Sequence, residues 1–186
     1  FNHLAMLNIE SFSSYPYLSE LFISYNRLRF VHYNTFYGLT NLQLLDLSGN
    51  RFTSIYNYYF ANILNLKNLI LSGCQIYCIR DNVFVAQRRL ETLDVSSNRL
   101  TGSNPLGFKG LSTLETINIT KTGISTMILE ILDYMHGVKV VYTDDLEICC
   151  NERLRDKCQG IHRLATSKCQ RLIHGLCENI LYVALG

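Results

Sequence analysis

The densest group of reactive side chains lies near the C-terminal end, where Cys149, Cys150, Cys158, Cys169 and Cys177 stand close together. Thiols at such density form disulfides or hold a metal. Cys158-x3-His162 and Cys169-x4-His174 have the spacing of zinc-ligand pairs but do not make a standard finger. Disulfides are the preferred reading, and they imply an oxidising, extracytoplasmic setting. The chain has seven cysteines, an odd number, so at least one thiol is free or pairs elsewhere. Cys74 and Cys78 lie apart from this group, and a bond between thiols so near in sequence would be strained.

No catalytic chemistry emerges from the rest of the sequence. There is no nucleophile elbow, phosphate loop or HExxH pair. His3, His32, His136, His162 and His174 are scattered, with no Ser/His/Asp set at related positions. The expectation is a protein that is not an enzyme and needs no metal or cofactor. A net charge of +2 is too small to argue for nucleic-acid binding.

The elements that position these residues follow from a repeat. LQLLDLSGNRFTSI begins at Leu42, LKNLILSGCQIYCI at Leu66, LETLDVSSNRLTGS at Leu90 and LETINITKTGISTM at Leu114, which sets a constant period of 24. LSELFISYNRLRFV at Leu18 is one copy earlier. Phe12, Phe36, Phe60, Phe84 and Phe108 recur with the same period. Leu39, Ile63 and Leu111 keep the position three places later, and Gln87 breaks it. The N-terminal LAMLNI mimics a repeat start, but register aligns Leu4 with Leu28 and Leu7 with Val31. The chain thus begins inside a repeat, so a signal and an N-terminal cap are expected upstream.

Each unit predicts one short strand whose leucines point inward and whose intervening residues point out. One unit cannot bury its leucines alone, so neighbours must stack. The Asn after the strand, at Asn26, Asn50 and Asn98, is a buried amide that must bond the backbone of adjacent coils. Cys74 and Thr122 replace it in two copies, and both can donate a hydrogen bond. The phenylalanines predict a spine under the convex side.

This LxxLxLxxNxLxxL pattern, followed by FxxL, resembles the extracellular type of leucine-rich repeat. The resemblance implies an α/β repeat fold, a leucine-rich repeat solenoid with a parallel concave sheet. Residues 1–137 form the array: a partial unit, 1–17, then five repeats starting at 18, 42, 66, 90 and 114. Residues 138–186 give a last strand and a cysteine-rich, partly helical cap.

With the leucines committed to the core, recognition falls to the residues between them. The concave face should present Glu20, Phe22, Asp46, Ile70, Asp94, Tyr142 and Asp144 as ligand-binding residues. Ser48 and Ser96 are also expected to face outward there. Asp46 and Asp94 sit two strands apart, about 10 Å, a span suited to a basic side chain. Exposed aromatics can anchor an interface. Asn118-Ile119-Thr120 is a glycosylation sequon on the same face, so Asn118 is the candidate glycan site.

The tail carries a second, narrower resemblance. Tyr142-Thr143-Asp144-Asp145, Cys149-Cys150 and Cys177-Glu178-Asn179 resemble the hinge of leucine-rich-repeat-containing G-protein-coupled receptors, of the glycoprotein-hormone and relaxin receptor kind. That family implies pairing of Cys149 and Cys150 with two of Cys158, Cys169 and Cys177. It also implies a receptor ectodomain on the extracellular side of the plasma membrane, binding a protein or peptide hormone. Contact with a membrane would come only through a following transmembrane domain, because Ile180–Leu185 falls far short of the roughly 20 apolar residues a helix needs to cross. The alternative is a secreted or matrix protein that mediates adhesion.

Overall fold

The computed structural model describes residues 3–124, 127–145 and 157–159. The repeat makes a solenoid of stacked coils. Each contributes one three-residue strand to a parallel sheet: β1 (Glu20–Phe22), β2 (Leu44–Asp46), β4 (Asn68–Ile70), β6 (Thr92–Asp94), β7 (Thr116–Asn118) and β8 (Val140–Tyr142). A second, two-stranded sheet pairs β3 (Ser54–Ile55) with β5 (Cys78–Ile79) further along the coil. Among the described residues the convex side is mostly turns, with a 3-10 turn at Pro105–Phe108 and a short helix, α1 (Ile128–Leu132).

Strand register repeats the sequence period. Leu21, Leu45, Leu69, Leu93, Ile117 and Val141 pair in succession across the main sheet. Leu45, Leu69, Leu93, Ile117 and Val141 are fully buried. The phenylalanine spine is present: Phe60 and Phe84 stack with centroids 6.3 Å apart, Phe84 and Phe108 lie 6.5 Å apart, and Phe12 stacks on Phe36 at 6.2 Å.

The sheet runs one strand beyond the one that the period marks as last. β9 (Cys158–Gln159) pairs in parallel with β8, Val141 opposite Cys158. The step from Val141 to Cys158 is shorter than the period, so periodicity alone could not reveal it. The cap helices, Cys149, Cys150, Cys169, Cys177 and the two histidines of the zinc-like spacing lie outside the described residues, and for Cys158 only the backbone position is described.

The asparagine ladder is realised. Asn50 donates to the carbonyls of Ile23 and Leu47 at 2.9 and 2.8 Å and accepts from the Leu28 N–H at 3.0 Å. Asn98 donates to Leu71 and Val95, both at 2.8 Å, and accepts from the N–H groups of Cys74 and Ile76 at 3.0 and 2.9 Å. Cys74 keeps the donor half: its thiol donates to the Leu47 carbonyl at 3.1 Å. Burial pushes this thiol up to about 11, against a smaller lowering by the nearby backbone of Asn50 and Gly49, so it stays protonated and able to donate. Cys74 and Cys78 are both free and buried, with no bond between them.

The residue before each ladder position makes a left-handed turn that aims the next side chain inward. Tyr25, Gly49, Gly73, Ser97 and Lys121 all have φ between 53° and 65°. Glycine adopts this conformation without the steric cost that the other three residues carry.

Gln87 also turns inward, where its neighbours in the series are apolar. Its Nε2 donates to the Phe60 carbonyl at 2.7 Å, while its buried Oε1 has no partner among the described residues. The Phe60 carbonyl also accepts from the Ile63 N–H at 3.1 Å, so removing the amide orphans nothing. Gln87→Leu should therefore raise the unfolding free energy, by about 1 kcal/mol. Urea denaturation checks this; a loss of stability would mean that the amide has a partner that the packing does not show. Cys74 should resist alkylation at pH 8 in the folded chain, with peptide mapping showing label at this position only under denaturing conditions.

Candidate functional site: the concave face

Strand register sorts the outward residues into columns that run along the solenoid. One column reads Phe22, Asp46, Ile70, Asp94, Asn118, Tyr142, each opposite the next. Apolar and acidic residues alternate over its first four places. The flanking column reads Glu20, Leu44, Asn68, Thr92, Thr116, Val140. At about 4.8 Å per strand, Phe22 and Tyr142 stand about 24 Å apart. Phe22 is 61% exposed and Tyr142 37%, whereas Asp46, Ile70, Asp94 and Asn118 are half-buried. Glu20 and Asp144 are exposed at the two ends of the array.

The structure adds a role that the sequence reading missed. Asp46 Oδ1 accepts from the Ser48 N–H and Asp94 Oδ1 from the Ser96 N–H, both at 2.8 Å. Asn118 Oδ1 accepts from the Thr120 N–H at 3.2 Å and from its hydroxyl at 2.8 Å. These side chains tie off the backbone where each strand ends, an Asx turn. One oxygen of each carboxylate is thus occupied locally. Ser48 and Ser96, expected to point out, are instead buried, each 8% exposed, because the chain is already turning toward the ladder residue. Asp144 acts between coils, accepting from the Lys121 N–H at 2.9 Å.

No group of three or more His, Cys, Asp or Glu side chains that could hold a metal occurs among the described residues. Nor is any helix among them long and apolar enough to cross a membrane. The arrangement is a column in which apolar and acidic side chains alternate over four coils.

A second set of inter-coil bonds was also not anticipated. Asn41 donates to the Pro16 carbonyl at 2.8 Å, Asn65 to Thr40 at 2.6 Å and Thr113 to Arg88 at 3.1 Å. All three stand just before a repeat-opening leucine and reach back by the same offset, so one position in the repeat carried the signal.

A sequence model of the family described as leucine rich repeat matches residues 1–52 and 64–124. The chain belongs to the leucine-rich repeat family. Its solenoid is similar to that of a solved structure, the crystal structure of a TLR13–ssRNA13 complex, with a TM-score of 0.71 and 22% sequence identity. That match covers 76% of this chain and 20% of the TLR13 chain, so the present sequence spans about a fifth of its solved relative. No curated protein matches the sequence. In this family the leucine-rich repeat is a scaffold, and no enzymatic family is indicated.

The local role of the aspartates makes a separable prediction. Asp46→Asn keeps an Oδ1 acceptor for the Ser48 N–H, as Asn118 does for Thr120 in the same column, so the urea midpoint should hold. Asp46→Ala removes it and should cost about 1 kcal/mol. Equal effects of the two substitutions would show that charge, not the turn bond, holds Asp46 in place.

Proposed function

We propose that this leucine-rich repeat array is part of a receptor-type ectodomain that binds an extracellular protein or peptide on its concave face. The observation that carries this reading is the column Phe22, Asp46, Ile70, Asp94, Asn118, Tyr142. Two carboxylates about 10 Å apart flank an aliphatic side chain, with an exposed aromatic near each end of the array. A ligand that complements it has cationic side chains at a matching interval and apolar ones between. Carboxylates in this column repel a phosphate backbone, which favours a protein or peptide here although the solved relative was crystallised with single-stranded RNA. Asn118, if glycosylated, would confine the ligand to the coils on its N-terminal side.

The narrower reading is a hormone-binding ectodomain of a G-protein-coupled receptor. It rests on the resemblance of the Cys149-Cys150 and Cys177-Glu178-Asn179 segments to that family's hinge. On that reading residues 1–137 are the recognition array, and residues 138–186 convey binding to a membrane domain. The alternative is a secreted or matrix protein whose same face mediates adhesion.

A displayed random-peptide library selected on the immobilised chain tests the concave assignment. Enriched peptides should carry paired Lys or Arg residues with an apolar residue between them. They should bind the Asp46→Asn/Asp94→Asn double variant at least about tenfold more weakly, since two charge contacts are lost while the turns stay closed. Enrichment of acidic peptides, or unchanged binding to the double variant, would contradict the proposal.

A further inference from the structure

The flank where each coil rises from the main sheet has a different chemistry from the concave face. Four successive coils pass through it, at residues 25–32, 49–56, 73–80 and 97–104. These segments contain five arginines and no Asp or Glu. Arg27, Arg51 and Arg99 each follow a ladder asparagine, and their N–H groups bond the coil before, to Leu4 at 2.8 Å, Leu28 at 2.7 Å and Ile76 at 2.9 Å. The three therefore stand in one file, about 5 Å from Arg27 to Arg51 and about 10 Å on to Arg99. All five arginines are exposed, and none enters an ion pair among the described residues. Asp81, an exposed acid just past the third segment, accepts from Asn104 Nδ2 through one carboxylate oxygen at 2.7 Å.

Aromatic rings are interleaved with these cations and held against the backbone. The Tyr77 ring lies over Gly102 of the next coil, so close that a Cβ there would meet ring atoms at 2.1–2.6 Å. The Tyr25 ring covers Gly49 in the same way, at 2.7–3.2 Å. Even so, Tyr25 is 61% exposed and Tyr77 56%. The Arg80 guanidinium sits 5.8 Å from the centre of the Tyr56 ring. Tyr77 is thus seated on backbone and still more than half exposed.

The opposite, descending edge is cationic too, but it carries acids. There Lys67 pairs with Glu91 at 3.0 Å and Lys139 with Glu115 at 2.7 Å, beside Arg88 and Arg89.

We propose that the ascending flank binds a sulfated polysaccharide lying along the solenoid. An acid-free file of guanidinium groups matches a linear chain of oxyanions, and each planar fork can engage two oxygens of one group. Tyr77, seated on Gly102, gives a flat platform for the C–H face of a sugar ring between the sulfates, with a phenol oxygen for a sugar hydroxyl. Single-stranded nucleic acid is the competing polyanion, because bases also stack on such rings. The polysaccharide is favoured by the extracytoplasmic setting that the cysteine-rich end implies, and this choice rests on that reading. The flank is separate from the concave column and does not depend on what binds there.

The test is affinity of the full chain for heparin, for chemically desulfated heparin and for a single-stranded oligonucleotide of equal charge. Heparin should bind at about 0.15 M salt and weaken steeply as salt rises. Desulfation should weaken binding at least about tenfold, and so should the triple variant Arg27→Gln/Arg51→Gln/Arg99→Gln. The triple Lys67→Gln/Arg88→Gln/Lys139→Gln has the same net charge but should change affinity less than about twofold. Tyr77→Ala should weaken heparin binding with no change in charge. Unfolding midpoints of all variants separate lost contacts from lost structure. Absence of heparin binding, equal losses in the two triples or tighter binding of the oligonucleotide would each overturn the proposal.

Discussion

A buried side-chain amide next to a backbone that cannot otherwise satisfy itself is the constraint on which the rest depends. Where the chain leaves each strand it turns sharply, and its N–H and C=O groups point into the stack instead of along the sheet. Asn50 and Asn98 meet these groups on their own coil and on the coil before, through donor and acceptor together. An unpaired backbone group at that depth would cost a few kcal/mol. The amides therefore tie neighbouring coils at one offset, the same offset at which the strands pair and the leucines pack. Where the amide is replaced, at Cys74, a neutral thiol keeps the donated bond to the preceding coil. Its raised pKa follows from the same burial that makes the bond worthwhile.

Fixed offset turns a repeat into a ruled surface. Because strand pairs are in strict register, any residue type at one place in the repeat appears as a column. Two columns of opposite character result. The strand-end position is acidic or amide in half the coils, partly because an Asx turn is needed there, and this same requirement leaves one carboxylate oxygen for a partner. A few residues on, after the ladder position, arginine recurs with no acid on the flank. The molecule thus separates an alternating acidic and apolar face from a cationic, aromatic one, although its net charge is only +2. Net charge excluded a generally basic protein, but it said nothing about how charge is distributed over coils.

The constant period made strand positions, inward leucines, the phenylalanine series and the ladder legible, because all of them are imposed once per coil. The register at the N-terminal segment was legible for the same reason. Features that do not follow the period were not. β9 joins the sheet after a shorter step, from Val141 to Cys158. Gln87 was visible as an exception, but that it stays inward with half of its amide unsatisfied depends on neighbours contributed by another coil. Ser48 and Ser96 were placed outward by simple alternation, which fails where the strand ends and the left-handed turn begins. Asn-Arg recurs in three repeats, a signal for the cationic flank that was not taken up from the sequence, and the seating of Tyr77 over Gly102 links neighbouring coils at different places in the repeat, which the period does not reveal. The columns were legible as lists of residues; which of them hold turns and which stay available for a partner was not.

The ladder amide is the element on which the register of the coils, and so of the proposed recognition surface, is held to rest. Amide hydrogen exchange at Cys74 and Ile76, compared between the native sequence and Asn98→Ala, measures this directly. In the native chain both amides should exchange only with global unfolding, as do those of the main sheet. In the variant they should open locally, with stability lower by about 2–4 kcal/mol, because both lose their acceptor at once. Unchanged protection at the two positions in Asn98→Ala would contradict the account, and would mean that leucine packing alone sets the offset between coils.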